Sequence, residues 1–186
     1  MDLTGKTLVV TGAAGTLGRA VATGAAGHGA RVIGIDRVQD PSIAGVDAYH
    51  CIDLLGESDL AGRFRDLGAI DGLLNIAGGF AMASFASADE DEAATWDAMF
   101  TINVTTLRNA TAAALPMLLE RERGAIVNVG ALAALAGGAG MSAYSAAKSA
   151  VLRLTESLSE EYRHRGINAV SYTHLTLPTI CFKCSS

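Results

Sequence analysis

The chain has 186 residues, 50% of them apolar and 18% charged, with a formal net charge of −5. That length and balance suit one globular domain with a sizeable core and exclude a disordered chain. The acidic balance and the lack of a basic stripe argue against nucleic acid as a partner, and no apolar run is long and charge-free enough to span a membrane.

The N-terminus enters a strand pattern within a few residues, with no charged-then-apolar leader. Cys51 stands alone in the body of the chain, and Cys181 and Cys184 lie in the last six residues. They form no disulfide framework and no metal site, so a reducing, cytoplasmic location is expected.

Residues 6–11 are a short β-rich apolar run and predict a buried strand. The run ends in Gly12-Ala13-Ala14-Gly15-Thr16-Leu17-Gly18, after which Leu17, Val21 and Ala25 recur at helical spacing. Strand, glycine-rich turn and helix is the context in which a dinucleotide's phosphates meet free N–H groups and the positive end of a helix dipole. By itself the glycine spacing also fits a plain tight turn. Gly29 is expected to end the first helix.

Residues 31–35 predict a second strand, closed by Asp36. A carboxylate placed about 20 residues beyond such a loop accepts hydrogen bonds from an adenosine ribose and repels a 2′-phosphate, which favours NAD. Arg37 follows directly and suits a 2′-phosphate, so NADP stays open. Residues 46–51 predict a third strand, followed by Asp53 and Leu54. Asp53 is placed either to bond an adenine amino group or to cap a helix starting near Glu57. After a short amphipathic helix over 60–67, residues 70–76 predict a fourth strand. It ends in Asn75-Ile76-Ala77-Gly78, where small residues let a cofactor lie close to the backbone and Asn75 can bridge strands.

Residues 84–92 read as a polar loop entering a helix over 95–104 that contains Asn103, a buried amide able to break the helix locally. A long helix over 105–121 carries Pro116. Residues 124–129 predict the fifth strand, and 130–140 a loop of small residues. Ser142 is expected to cap a helix running to about Arg165. Tyr144 and Lys148 lie four apart on that helix, on one face. There an ammonium is expected to lower the phenol's pKa and make the pair a proton-transfer device.

The β-α alternation implies an α/β fold: a three-layer, doubly wound parallel sheet of about six strands. With Thr11-Gly12-x-x-Gly15-x-x-Gly18, Asn75-x-Ala77-Gly78, Asn103 and Tyr144-x-x-x-Lys148 in this order, the chain resembles the short-chain dehydrogenase/reductase family from Lys6 to about Asn168. The resemblance implies a hydride passed between a nicotinamide cofactor, NAD or NADP, and a small-molecule alcohol or carbonyl substrate. It implies Tyr144 as general acid/base, Lys148 as its electrostatic partner and ribose holder, and Asn103 as anchor of a relay water. Gly12, Gly15, Thr16, Leu17 and Gly18 would hold the pyrophosphate, Asp36 the ribose, and Asp53 with Leu54 the adenine. Ala77 and Gly78 would underlie the cofactor, with Asn75 supporting the sheet. A homodimer or homotetramer formed through the long helices flanking the fifth strand is implied as well.

One position departs from the family. The serine expected thirteen residues before the tyrosine is Ala131, beside Gly130. Losing one preorganised donor costs ~10²–10³ in rate, so a cofactor-binding but catalytically silent scaffold is the alternative. Some relatives, the dihydropteridine reductase branch among them, work without that serine. The family also continues with a further strand and a substrate-covering segment. We therefore read 1–168 as the domain, incomplete at its C-terminal end. Residues 169–186 read as a non-native tail, as if a sequencing adaptor had been translated in one frame, a hypothesis that resequencing with another library chemistry would test. An uncovered sixth strand is expected to make the chain poorly soluble or partly unfolded.

Overall fold

The computed structural model describes residues 2–39, 41–85 and 90–173. Among the described residues, six parallel strands form one sheet in the order β3-β2-β1-β4-β5-β6. They are β1 Thr7–Thr11, β2 Arg31–Asp36, β3 Ala48–Cys51, β4 Gly72–Asn75, β5 Gly124–Val129 and β6 Ile167–Tyr172. The helices are α1 Thr16–Gly27, α2 Leu60–Arg65, α3 Glu90–Phe100, α4 Thr106–Glu120 and α5 Ser142–Tyr162.

Strand parity explains the layers. Val9, Ile33, Leu73, Ile126 and Ala169 face one core, which Phe64 of α2 and Ala110, Ala114 and Leu118 of α4 complete, with Leu158 and Tyr162 of α5 against it. Val10 and Val32 point the other way, onto Ala22 and Ala25 of α1. Alternating apolar residues therefore bury both faces, as a parallel sheet demands. Cover on the α1 face thins along the register from Val10 through Leu74 and Val127 to Val170, which is 43% exposed.

The chain reverses sequence direction at β1: β1 has β2 on one side and β4 on the other. Such a switch point opens a crevice at the carboxyl ends of the strands.

Three expectations change, and the sixth strand is found to run past residue 168. α3 begins at Glu90, five residues before the expected start, and a π-helical turn over Thr101–Thr105 separates it from α4. α2 begins at Leu60, as the reading of a helix over 60–67 has it and not near Glu57 as the capping role for Asp53 required, and its cap is Asp59, whose side chain accepts from the Gly62 N–H at 2.9 Å. Ser142 is the first residue of α5, and Met141 precedes it without any side-chain cap. β6 pairs in register with β5 as far as Tyr172 opposite Val129, so the expected boundary at Asn168 falls inside a strand. Ile167 and Ala169 alternate into the core at 1% and 5% exposure, and this alternation carries the strand past that point. Cys181 and Cys184 lie outside the described residues.

Candidate active site

Gly12 ends β1 at φ +66°, and a β-carbon there would lie 2.7 Å from the Ala77 nitrogen. A β-carbon on Gly18 would lie 2.0 Å from the Gly12 oxygen. Both positions therefore require glycine, because α1 and the β4 end approach the turn backbone to backbone. Thr11 Oγ1 accepts from the Ile76 and Ala77 N–H groups at 3.1 and 3.2 Å and locks the two strand ends together. Arg19 closes the turn from behind, donating to the carbonyls of Ala14 (2.9 Å) and Ser42 (2.7 Å).

Above this turn lies a cavity of about 640 Å³. Gly12, Gly15, Thr16, Leu17 and Gly18 line one wall, Asp36, Asp53 and Leu54 another, and Ala77 and Gly78 a third. Gly15 precedes α1 and brings no side chain to its first-turn N–H groups. A β-carbon on Gly15 would meet only the Gly12 oxygen, at 3.3 Å. A phosphate-bearing dinucleotide fits that cradle: unhindered backbone, a helix N-terminus and a slot lined by small residues.

Asp36 accepts from the Ala14 N–H through Oδ2 (3.0 Å) and from the Arg37 N–H through Oδ1 (2.8 Å). The carboxylate thus shapes the glycine turn as well as the cavity wall. Asp53 Oδ1 accepts from the Leu55 N–H at 3.0 Å, and its own carbonyl accepts from the Glu57 N–H at 3.0 Å. It builds a turn on the cavity wall and caps no helix. Asn109 of α4 fastens that turn by donating to the Leu54 carbonyl at 2.9 Å.

Tyr144, Lys148, Asn103 and Asn75 do not line this cavity. The first three stand past its Gly78 end. A β-carbon on Gly78 would lie 2.8 Å from Asn103 Oδ1 and 3.8 Å from Lys148 Nζ. Asn103, 1% exposed, donates to the carbonyls of Gly79 and Met99 at 3.0 Å each and accepts from the Gly79 N–H at 3.3 Å. It ties the loop after β4 to the π-helical turn.

Tyr144 and Lys148 share a face of α5, with Nζ 5.8 Å from the phenol ring centroid. Phe80 packs edge-on against Tyr144, centroids 4.9 Å apart. Burial pushes the Tyr144 phenol above its ordinary value. The expected lowering by the ammonium is therefore corrected. Lys148 is itself only 6% exposed, burial pushes its amine down to about 8, and Nζ donates to the Val129 carbonyl at 2.8 Å. Desolvation outweighs the neighbouring charge at this separation.

Asn75 donates to Asn128 Oδ1 (2.8 Å) and Thr111 Oγ1 (3.0 Å), so it does bridge β4 to β5. Asn128 in turn donates to Thr155 Oγ1 at 2.9 Å. This buried chain pins α4 and α5 to the sheet. Thr111, Asn128 and Thr155 carry no motif in the sequence, because their partners lie far away along the chain. Thr101, Ile102 and Thr106 also line the cavity and belong to no motif read from the sequence.

Known proteins share this sequence pattern and fold. Residues 57–176 match the family model described as short chain dehydrogenase. The chain is 35% identical over 185 residues to 2-(S)-hydroxypropyl-CoM dehydrogenase 3 of Xanthobacter autotrophicus, covering 90% of this chain and 71% of that protein. A second protein of that organism, named inactive 2-(S)-hydroxypropyl-CoM dehydrogenase 2, is 46% identical over 108 residues, 58% of this chain and 46% of its own length. Among solved structures, one from Beutenbergia cavernae, assigned as an NAD(P) dependent gluconate 5-dehydrogenase with NADP bound at low occupancy, superposes with a TM-score of 0.81. Its identity to this chain is 28%, over 91% of this chain and 72% of that one.

Proposed function

The chain belongs to the short-chain dehydrogenase family, and from that premise we propose that it is an NAD(P)-dependent oxidoreductase acting on an alcohol or carbonyl compound. The 3-oxoacyl reductases and dihydropteridine reductases are the kinds of reaction we have in view. Gly78 carries the reading: it lines the glycine-walled cavity, and its backbone abuts both Asn103 and Lys148. The Tyr144/Lys148 pair stands past the Gly78 end of that cavity, where the phenol would meet a substrate oxygen beside a bound dinucleotide.

A bound nicotinamide supplies or takes the hydride. Tyr144 gives its phenolic proton to the substrate oxygen in reduction and recovers it in oxidation. Burial keeps that proton in place in the resting protein, and Lys148, when protonated, stabilises the phenolate that forms. Gly12, Gly15, Thr16, Leu17 and Gly18 hold the pyrophosphate, Asp36 the ribose, and Asp53 and Leu54 the adenine, with Ala77 and Gly78 beneath. Asn103 anchors a relay water. Asp36 favours NAD, while Arg37 and the NADP in the Beutenbergia structure keep NADP in play. A cytoplasmic homodimer or homotetramer, paired through α4 and α5, belongs to the same proposal.

The test is an NADH fluorescence titration of the purified chain, followed by oxidation across a carbonyl panel with Tyr144→Phe as control. Saturable binding with turnover that the variant loses is the expected result. Ala131 favours a second reading, a binding scaffold without catalysis: it is extended and enters the 3-10 turn Leu132–Ala134 with no hydroxyl to polarise a carbonyl. Binding without turnover on any carbonyl, restored by Ala131→Ser, would favour that scaffold.

A further inference from the structure

Two segments meet beside Tyr144. One is the loop after β4, which carries Phe80 and Met82. The other is the loop between β5 and α5, which carries Leu132 and Leu135. The Ala83 N–H donates to the Gly140 carbonyl at 3.0 Å and holds the two together. A β-carbon on Gly140 would lie 3.2 Å from the Met82 methyl, so the loops are in contact there. Phe80 is 55% exposed, Met82 61%, Leu132 57% and Leu135 62%. Exposed apolar side chains are ordinary when scattered; gathered at a catalytic mouth they mark a binding surface.

The charge pattern says what that surface accepts. No Asp, Glu, Lys, Arg or His occurs from Gly72 to Phe85 or from Gly124 to Ala147. Lys148, the first ionisable residue on α5 after Tyr144, turns its ammonium onto the Val129 carbonyl. An anionic substrate would leave its hydration shell at this mouth and find no cation on either of these two segments to replace it, a large penalty in apolar surroundings. A cyclic ketone would instead set its ring on Phe80, with its oxygen toward the Tyr144 phenol that Phe80 packs against.

Resting on the dehydrogenase reading, we propose that the substrate is an uncharged carbonyl or alcohol compound with a bulky apolar, preferably cyclic, body. Acidic keto acids and phosphorylated sugars are excluded. Its apolar part would be recognised by Phe80, Met82, Leu132 and Leu135.

Acetophenone and phenylglyoxylate test this, since both carry a ring ketone and only the second carries a carboxylate. Binding of each to the NADH-saturated chain is measured by ligand-observed NMR, and turnover is followed separately through NADH absorbance. Acetophenone should bind at least tenfold more tightly. Leu135→Lys, at an exposed position, should narrow that preference about tenfold, and Phe80→Ala should weaken acetophenone several-fold while leaving NADH binding unchanged. Equal or tighter binding of phenylglyoxylate, or binding of neither, overturns the proposal. So does a Leu135→Lys variant that changes only the oligomeric state, because the leucines would then be covered by a second copy. Preferential binding of acetophenone with no turnover of any carbonyl in the panel supports this substrate class while sinking the hydride-transfer reading, so the two fail separately.

Discussion

On the β1–β2 side of the cleft, Gly12 and Gly18 lie so near other backbone that a methyl group on either would overlap it. On the α5 side, Phe80, Leu132 and Leu135 keep more than half of their surface in solvent. The first wall is shaped by what side chains are missing, the second by side chains with little yet packed on them. A wall made of backbone fits one ligand shape and tolerates almost no substitution. A wall made of loosely packed apolar groups can be altered residue by residue without endangering the fold.

Substitutions on the two walls should therefore differ in kind. Gly18→Ala forces a 2.0 Å contact onto the Gly12 carbonyl. It should lower thermal stability by about 3 kcal/mol or more and abolish NADH binding, both readable from one melting series with and without NADH. A variant that melts normally and still binds would break the contrast. Tyr144→Phe should cost ~10²–10⁴ in turnover while leaving NADH affinity within twofold, because the phenol stands past the cavity's Gly78 end. Thr155→Val, behind both walls, leaves the Asn128 amide buried without its acceptor and should cost about 1–3 kcal/mol in urea unfolding.

Lys148 sharpens the comparison through pH. Burial depresses its folded value to about 8 from an ordinary 10.5. Between those values the unfolded chain holds the extra proton, so stability rises with pH across that window. The penalty is felt in full below about 8. Lys148→Met should flatten the rise, as measured by urea midpoints from pH 7.5 to 10. The smallest effect belongs to Gly24, in the same helix as Gly18 but with nothing within 4 Å of an added β-carbon. Gly24→Ala should stabilise by about 0.5–1 kcal/mol, and a loss there would mean that α1 is packed differently from this description.

The sheet was legible from sequence because β1, β2 and β5 are short, mostly apolar runs bounded by glycine or charge. The glycine turn and the four-residue step from Tyr144 to Lys148 were legible because they depend only on local spacing. Burial is not local. The shift of the Tyr144 phenol came out with the opposite sign, since spacing brings an amine near but says nothing of Phe80, which arrives from 64 residues away in sequence. The Asn75–Asn128–Thr155 chain was hidden for the same reason, its partners lying 53 and 27 residues apart. Ser142 looked like a cap because serine favours that role, yet the helix took it in as its first residue and left Met141 outside.

The π-helical turn at Thr101–Thr105 has a consequence for lineage and engineering. It is equivalent to one extra residue let into a rod that α3 and α4 would otherwise share. Removing a single residue there would restore ordinary pitch and swing every upstream side chain by roughly 100° relative to α4. Asn103 would then no longer point at Gly79. The address of that amide is thus written as a count of residues, and an indel scan across the turn would read it where substitutions cannot.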